Sequence, residues 1–99
     1  MQFSFTPAAA RKVLALMAEK GEGLVLRIQI KKSITGEKWS MTFEPAKAVP
    51  LMVDGVPVVV DAGTEKLIDG MVIDWVQTPE GAGFGVYERN LRDLRVLPR

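Results

Sequence analysis

Most protein chemistry rests on thiolates, imidazoles or paired carboxylates, and this 99-residue chain contains no cysteine and no histidine. Without thiolate there is no disulfide, no cysteine nucleophile and no soft metal site. Without imidazole there is no Ser-His-Asp arrangement, no acid–base group near neutrality and no ordinary zinc site. Carboxylates, ammonium groups, guanidinium groups and aromatic rings remain. Asp54, Asp61, Asp69 and Asp74 could offer oxygens to a hard cation, but such a site needs several converging ligands and nothing in the spacing makes these converge. Asp54 and Asp69 each precede a glycine, Asp61 ends an apolar run and Asp74 alternates with apolar neighbours. Structural roles are expected of all four, with Asp74 facing solvent, and neither a metal nor a cofactor is expected. Gly36-Glu37-Lys38 lacks both the first glycine and the Ser/Thr of a phosphate-binding loop. No acid–base pair is identifiable, so the reading is a non-enzyme.

Basic residues are the more informative set. Lys31, Lys32 and Lys38 stand against Glu37 in one polar stretch, and Glu88 to Arg99 carries Arg89, Arg92, Arg95 and Arg99 against two acids. Brought together, these would form a patch for an acidic protein partner, with a nucleic-acid backbone as the alternative. The net charge of +1 decides nothing here, and solvated charge also serves simply to keep a valine-rich domain dispersed. Leu91, Leu94 and Leu97 recur every third residue, a spacing that suits tucking onto the chain's own domain. The tail from about Glu88 is nevertheless expected to add little stability, as chain ends usually do. Trp39, Trp75, Phe84 and Tyr87 could stack on bases, yet they fall at strand positions where packing is the commoner use.

The elements that must position these residues follow from pattern. Thr6-Pro7 is a helix start, since Thr caps and Pro fits the first helical position. The pattern predicts a helix over Ala8 to Lys20 with Ala10, Val13, Leu14 and Met17 on its buried face, stopped by Gly21 and Gly23. Strands are predicted over Phe3–Phe5, Leu24–Ile30, Lys38–Glu44, Leu51–Val53, Val56–Val60, Met71–Gln77 and Phe84–Tyr87. Lys31–Glu37 reads as a polar connection, Pro45 and Pro50 bracket a loop, Thr64–Ile68 suggests a helical turn, and Thr78–Gly83 reads as a loop. Asp54-Gly55 is a tight-turn signal, because that pair accepts positive φ. Hydrophobic residues at 47% and charged residues at 25% are ordinary for one globular domain spanning 1–99. The first residues do not read as a signal peptide, and no apolar run approaches the ~20 residues that cross a bilayer. The cytoplasm is the expected location, with no membrane partner.

In order and spacing these segments resemble the A-type iron–sulfur carriers, the HesB/IscA-like domain. The match is carried by Phe5-Thr6-Pro7-Ala8-Ala9-Ala10, Leu26-Arg27-Ile28, Val58-Val59-Val60-Asp61, Leu67-Ile68-Asp69-Gly70, Ile73-Asp74-Trp75, Gly83-Phe84 and Asn90. The resemblance implies an α+β, mostly β fold, with one N-terminal helix and six or seven short strands in two packed mixed sheets. The family's chemistry sits in three cysteines, one in a glycine-rich loop and two near the C-terminus. Here the first falls on Ile34 or Thr35 and the others, aligned on Asn90, on Arg95 and Leu97. None is a soft ligand, and iron–sulfur clusters need such ligands. The resemblance therefore points to a cysteine-less branch, as in the DsrR type associated with sulfur oxidation. Its implied role is contact with a protein partner as an accessory or regulatory factor, by a monomer or weak homo-oligomer. The expected contact surface is Lys31, Lys32, Lys38, Arg89, Arg92 and Arg95.

Overall fold

The computed structural model of the chain describes residues 2–89 and 95–97. In order these form β1 (Ser4–Phe5), α1 (Pro7–Lys20), β2 (Leu24–Ser33), β3 (Gly36–Pro45), β4 (Leu51–Val53) and β5 (Val56–Val60). Then follow α2 (Ala62–Ile68), β6 (Met71–Thr78), β7 (Gly81–Glu88) and β8 (Arg95–Val96). One sheet has the order β1-β6-β7-β8 and the other β3-β2-β5-β4. Both are mixed: β1 runs parallel to β6 and β2 parallel to β5, and the remaining pairs are antiparallel. The α+β, mostly β architecture matches expectation, with two of the eight described strands only two residues long.

Thr6 starts α1 as read from the sequence. Its hydroxyl accepts from Ala9 N–H at 3.2 Å, and Pro7 fills the first helical position. The same hydroxyl donates to Asp74 Oδ1 at 2.6 Å, and Thr6 N–H continues the β1–β6 pairing by donating to the Ile73 carbonyl. Asp74 therefore ties the helix start to β6 and does not face solvent as expected. Helix α1 buries Ala9, Ala10, Val13 and Met17, while Leu14 is 40% exposed. A 3.6-residue period through Val13 and Met17 turns position 14 aside, which corrects the expected face. That face meets Phe5, Leu26, Ile28, Val56, Val58, Ile73 and Val86 in one core drawn from both sheets. Each fully buried branched or aromatic side chain there contributes about 1.5–3 kcal/mol relative to exposure.

The predicted connection Lys31–Glu37 and predicted loop Thr78–Gly83 are instead closed hairpins. Strand pairing runs to Ser33↔Gly36 in the first and Thr78↔Gly81 in the second, leaving two-residue turns. Both use one device. The hydroxyl before the turn donates to the carbonyl of the glycine after it, Ser33 to Gly36 at 3.2 Å and Thr78 to Gly81 at 2.8 Å. Both glycines have φ of 120°, so they absorb the conformation the turn residues avoid. Asp54-Gly55 instead takes the positive φ pair of 49° and 83°, as the sequence signal requires.

The helical turn expected at Thr64–Ile68 is part of a seven-residue helix. Asp61 caps it by accepting from Thr64 N–H at 2.7 Å. The described part of the tail docks on the domain. Strand β8 pairs with β7, Leu97 N–H donates to the Phe84 carbonyl at 2.8 Å, and the Leu97 side chain packs on the core. Self-docking thus holds for Leu97, whereas Leu91 and Leu94 lie outside the described residues.

Candidate functional site

Antiparallel pairing of β2 with β3 places the lysines. Ile30 and Trp39 are opposite partners and both buried, so this pair marks the edge of the core. Beyond it Lys31 stands opposite Lys38 and Lys32 opposite Glu37. Side chains alternate along a strand, so Lys31 and Lys38 share one face of the hairpin and Lys32 and Glu37 share the other. The three lysines are exposed but do not make one surface. At the tip, Thr35 is held by a 3.0 Å hydroxyl–hydroxyl contact with Ser33, and Ile34 is fully exposed.

Arg89 lies apart from this hairpin. Parallel pairing of β2 with β5 ends at Ile28↔Val60, so the hairpin tip projects past the C-terminal end of β5. Arg89 lines a groove with Leu51, Met52, Val53 and Asp54, beside the N-terminal end of β5, and its guanidinium is 3.4 Å from Ser4 Oγ. Of the contact residues expected from the sequence, Lys31, Lys32 and Lys38 therefore stand apart from Arg89. Arg95 contributes backbone pairing in β8, and Arg92 lies outside the described residues.

Of the positions that the resemblance gives to cysteine, Ile34 and Thr35 form the hairpin turn, Arg95 is in β8 and Leu97 packs against the core. An alkyl group, a hydroxyl already engaged, a guanidinium and a second alkyl group do not fit a cluster, which needs thiolate or imidazole. The acids are likewise engaged in structure. Asp54 accepts from Phe5 N–H at 2.9 Å, Asp69 from Gln2 N–H at 2.6 Å, and Asp74 from Thr6 and Trp75. Among the described residues no three such groups converge as metal ligands.

Thr64 is the residue that pattern reading missed. It is the one buried polar side chain among the described residues, and its Oγ1 accepts from Ile30 N–H at 3.0 Å. Strand β5 has stopped pairing at Val60, so Thr64 stands in for the next strand carbonyl. Its backbone N–H, then its hydroxyl, hold the Asp61 carboxyl below the usual range, with Arg27 assisting and desolvation opposing. Arg27 itself pairs with Glu44 across the hairpin. A Thr three residues after an Asp that ends a strand is the available sequence signal.

Comparison with known proteins fits the same frame. The family described as "Iron-sulphur cluster biosynthesis" matches residues 1–93. The chain belongs to that family. It is 31% identical over 97 residues to the iron-binding protein IscA of Klebsiella pneumoniae subsp. pneumoniae, covering 94% of this chain and 91% of that one. The iron-binding protein IscA of Salmonella arizonae is 30% identical over the same length. In structure it resembles IscA with the [2Fe-2S] cluster (TM-score 0.67, 21% identity, 90% of this chain and 86% of that one). Escherichia coli SufA, involved in biosynthesis of iron–sulfur clusters, gives a TM-score of 0.69 at 24% identity, over 92% and 83%. These structural likenesses show the fold.

Proposed function

We propose that the chain is a cluster-less, non-catalytic member of its family. In this reading it works in the cytoplasm by protein contact, as an accessory or regulatory factor in iron–sulfur or sulfur-oxidation metabolism of the DsrR type. The observation that carries the reading is the β2–β3 hairpin. Where the resemblance places a cysteine, at Ile34 or Thr35, it presents a hydroxyl and a fully exposed Ile34 among lysines, on a chain with no thiolate or imidazole anywhere. A bare alkyl group at the tip of a hairpin buries nothing within its own fold, and a partner surface would remove it from water. Described basic residues split between two hairpin faces and a distant Arg89 do not make the continuous stripe that tracks a nucleic-acid backbone. Contact with protein is accordingly favoured.

The test begins with anaerobic reconstitution using iron and sulfide, followed by desalting. A colourless protein is expected, and stoichiometric iron and sulfide retained by the monomer would overturn the cluster-less reading. Capture from the native host should then depend on Ile34, with Ile34→Asp losing the partner that wild-type protein retains. Equal capture by both would place the contact elsewhere.

A further inference from the structure

A cleft of about 490 Å³ opens between α1, β3 and the β6–β7 hairpin, away from the hairpin tip and independent of the contact role above. Its walls are aromatic: Trp39 and Phe43 from β3, Trp75 from β6 and Phe84 from β7. Trp75 and Phe84 meet edge to face with centroids 4.8 Å apart, which fixes one wall. On β7, Ala82 lies on the same strand face as Phe84 and carries only a methyl group, so this part of the cleft is not filled by a side chain.

One charged side chain lines the cleft, and one wall residue carries a buried polar atom. Lys12 projects from α1 with its Nζ 5.0 Å from the centre of the Trp75 ring, a cation–π placement. Among the described residues no carboxylate lies within ion-pair distance of it, and an anion is the group its charge attracts. Trp39 is only 8% exposed, and its Nε1–H is buried without an acceptor among the described residues. An apolar, ring-lined cavity of this size with few polar groups is the usual form of a small-ligand site.

We propose that this cleft binds a small planar aromatic carboxylate, its rings between the β3 aromatics and the Trp75–Phe84 wall, its carboxylate at Lys12. An aliphatic cation is disfavoured by Lys12, and a large polar ligand by the aromatic walls.

The only two tryptophans of the chain both line the cleft, so they report on it directly. Naphthalene-2-carboxylate titrated into the full chain should shift both indole N–H signals saturably, with half-saturation at about 0.1–1 mM for a ligand this small. Lys12→Met should weaken binding by about fivefold, the scale of a partly exposed ion pair. The neutral naphthalene-2-carboxamide should weaken by a similar factor on wild-type protein and by much less on Lys12→Met. Ala82→Leu, which fills the space, should abolish the shifts, and its fold is verified from its backbone spectrum. No indole shift at about 10 mM ligand, roughly ten times the upper end of that range, would overturn the proposal. So would affinity unchanged in Lys12→Met, or shifts that persist in folded Ala82→Leu.

Discussion

Thr64 shows how one hydroxyl can serve two elements at once. Its oxygen completes the hydrogen bonding of β2 through Ile30 N–H, and the same hydroxyl helps hold the Asp61 carboxyl at the start of α2 below its usual range. Thr64→Val keeps the shape but leaves Ile30 N–H buried without an acceptor, which should cost about 1–3 kcal/mol at neutral pH. Thr64→Ser should restore much of it. The pH dependence has a definite sign. Asp61's folded pKa is depressed, so its contribution is fully present above its unfolded pKa and is lost as pH falls through the folded value. In Thr64→Val one donor to that carboxylate is gone, the depression shrinks, and the variant's deficit should be smaller at about pH 3 than at pH 7. Urea unfolding at both pH values measures this. A deficit that is equal or larger in acid would show that the hydroxyl does not act on Asp61.

At the scale of elements, the fold was largely legible because each start signal had a local cause. Thr6-Pro7 capped a helix, Asp54-Gly55 closed a hairpin through positive φ, and Asp61 ended β5 where the resemblance placed it. The errors share a different origin. Lys31–Glu37 and Thr78–Gly83 look like loops by composition, whereas the ladder continues through them because Gly36 and Gly81 close two-residue turns. Polar residues on a projecting hairpin give no burial signal to read. In the tail, self-docking is met at Leu97, which acts at long range through Phe84 and the core. Leu97→Ala should therefore destabilise by about 1–2 kcal/mol, less than a fully buried leucine because it is half-buried. Val96, on the preceding residue and 49% exposed, should tolerate alanine within about 0.5 kcal/mol. Equal effects of the two substitutions, by thermal or urea unfolding, would mean that β8 is not docked through Leu97.

Across the whole molecule the exposed features fall at separate places, and the site was less legible than the fold for that reason. Charge counted along the chain joined Lys31, Lys32, Lys38 and Arg89 into one patch, but strand alternation splits the lysines and the sheet separates Arg89 from them. What survives is a hairpin whose Lys31 and Lys38 face each other as direct cross-strand neighbours. Like charges so placed are mildly destabilising, and opposite charges stabilising, by about 0.2–1 kcal/mol. Lys31→Glu turns this pair from repulsive to attractive, so the variant should be as stable as the wild type or slightly more so. An acidic partner would meet less positive charge on the same face, so its binding should weaken, most visibly at low salt where screening is least. Stability and binding thus move in opposite directions in one variant, which separates a contact role from a folding role. Lys32→Glu makes a useful companion, since it lies on the opposite hairpin face beside Glu37 and should change binding less if the partner docks on the Lys31–Lys38 side. Calorimetric unfolding and partner titration at two salt concentrations measure both effects. A partner that binds Lys31→Glu as tightly as the wild type at low salt would show that these lysines are only solvated charge.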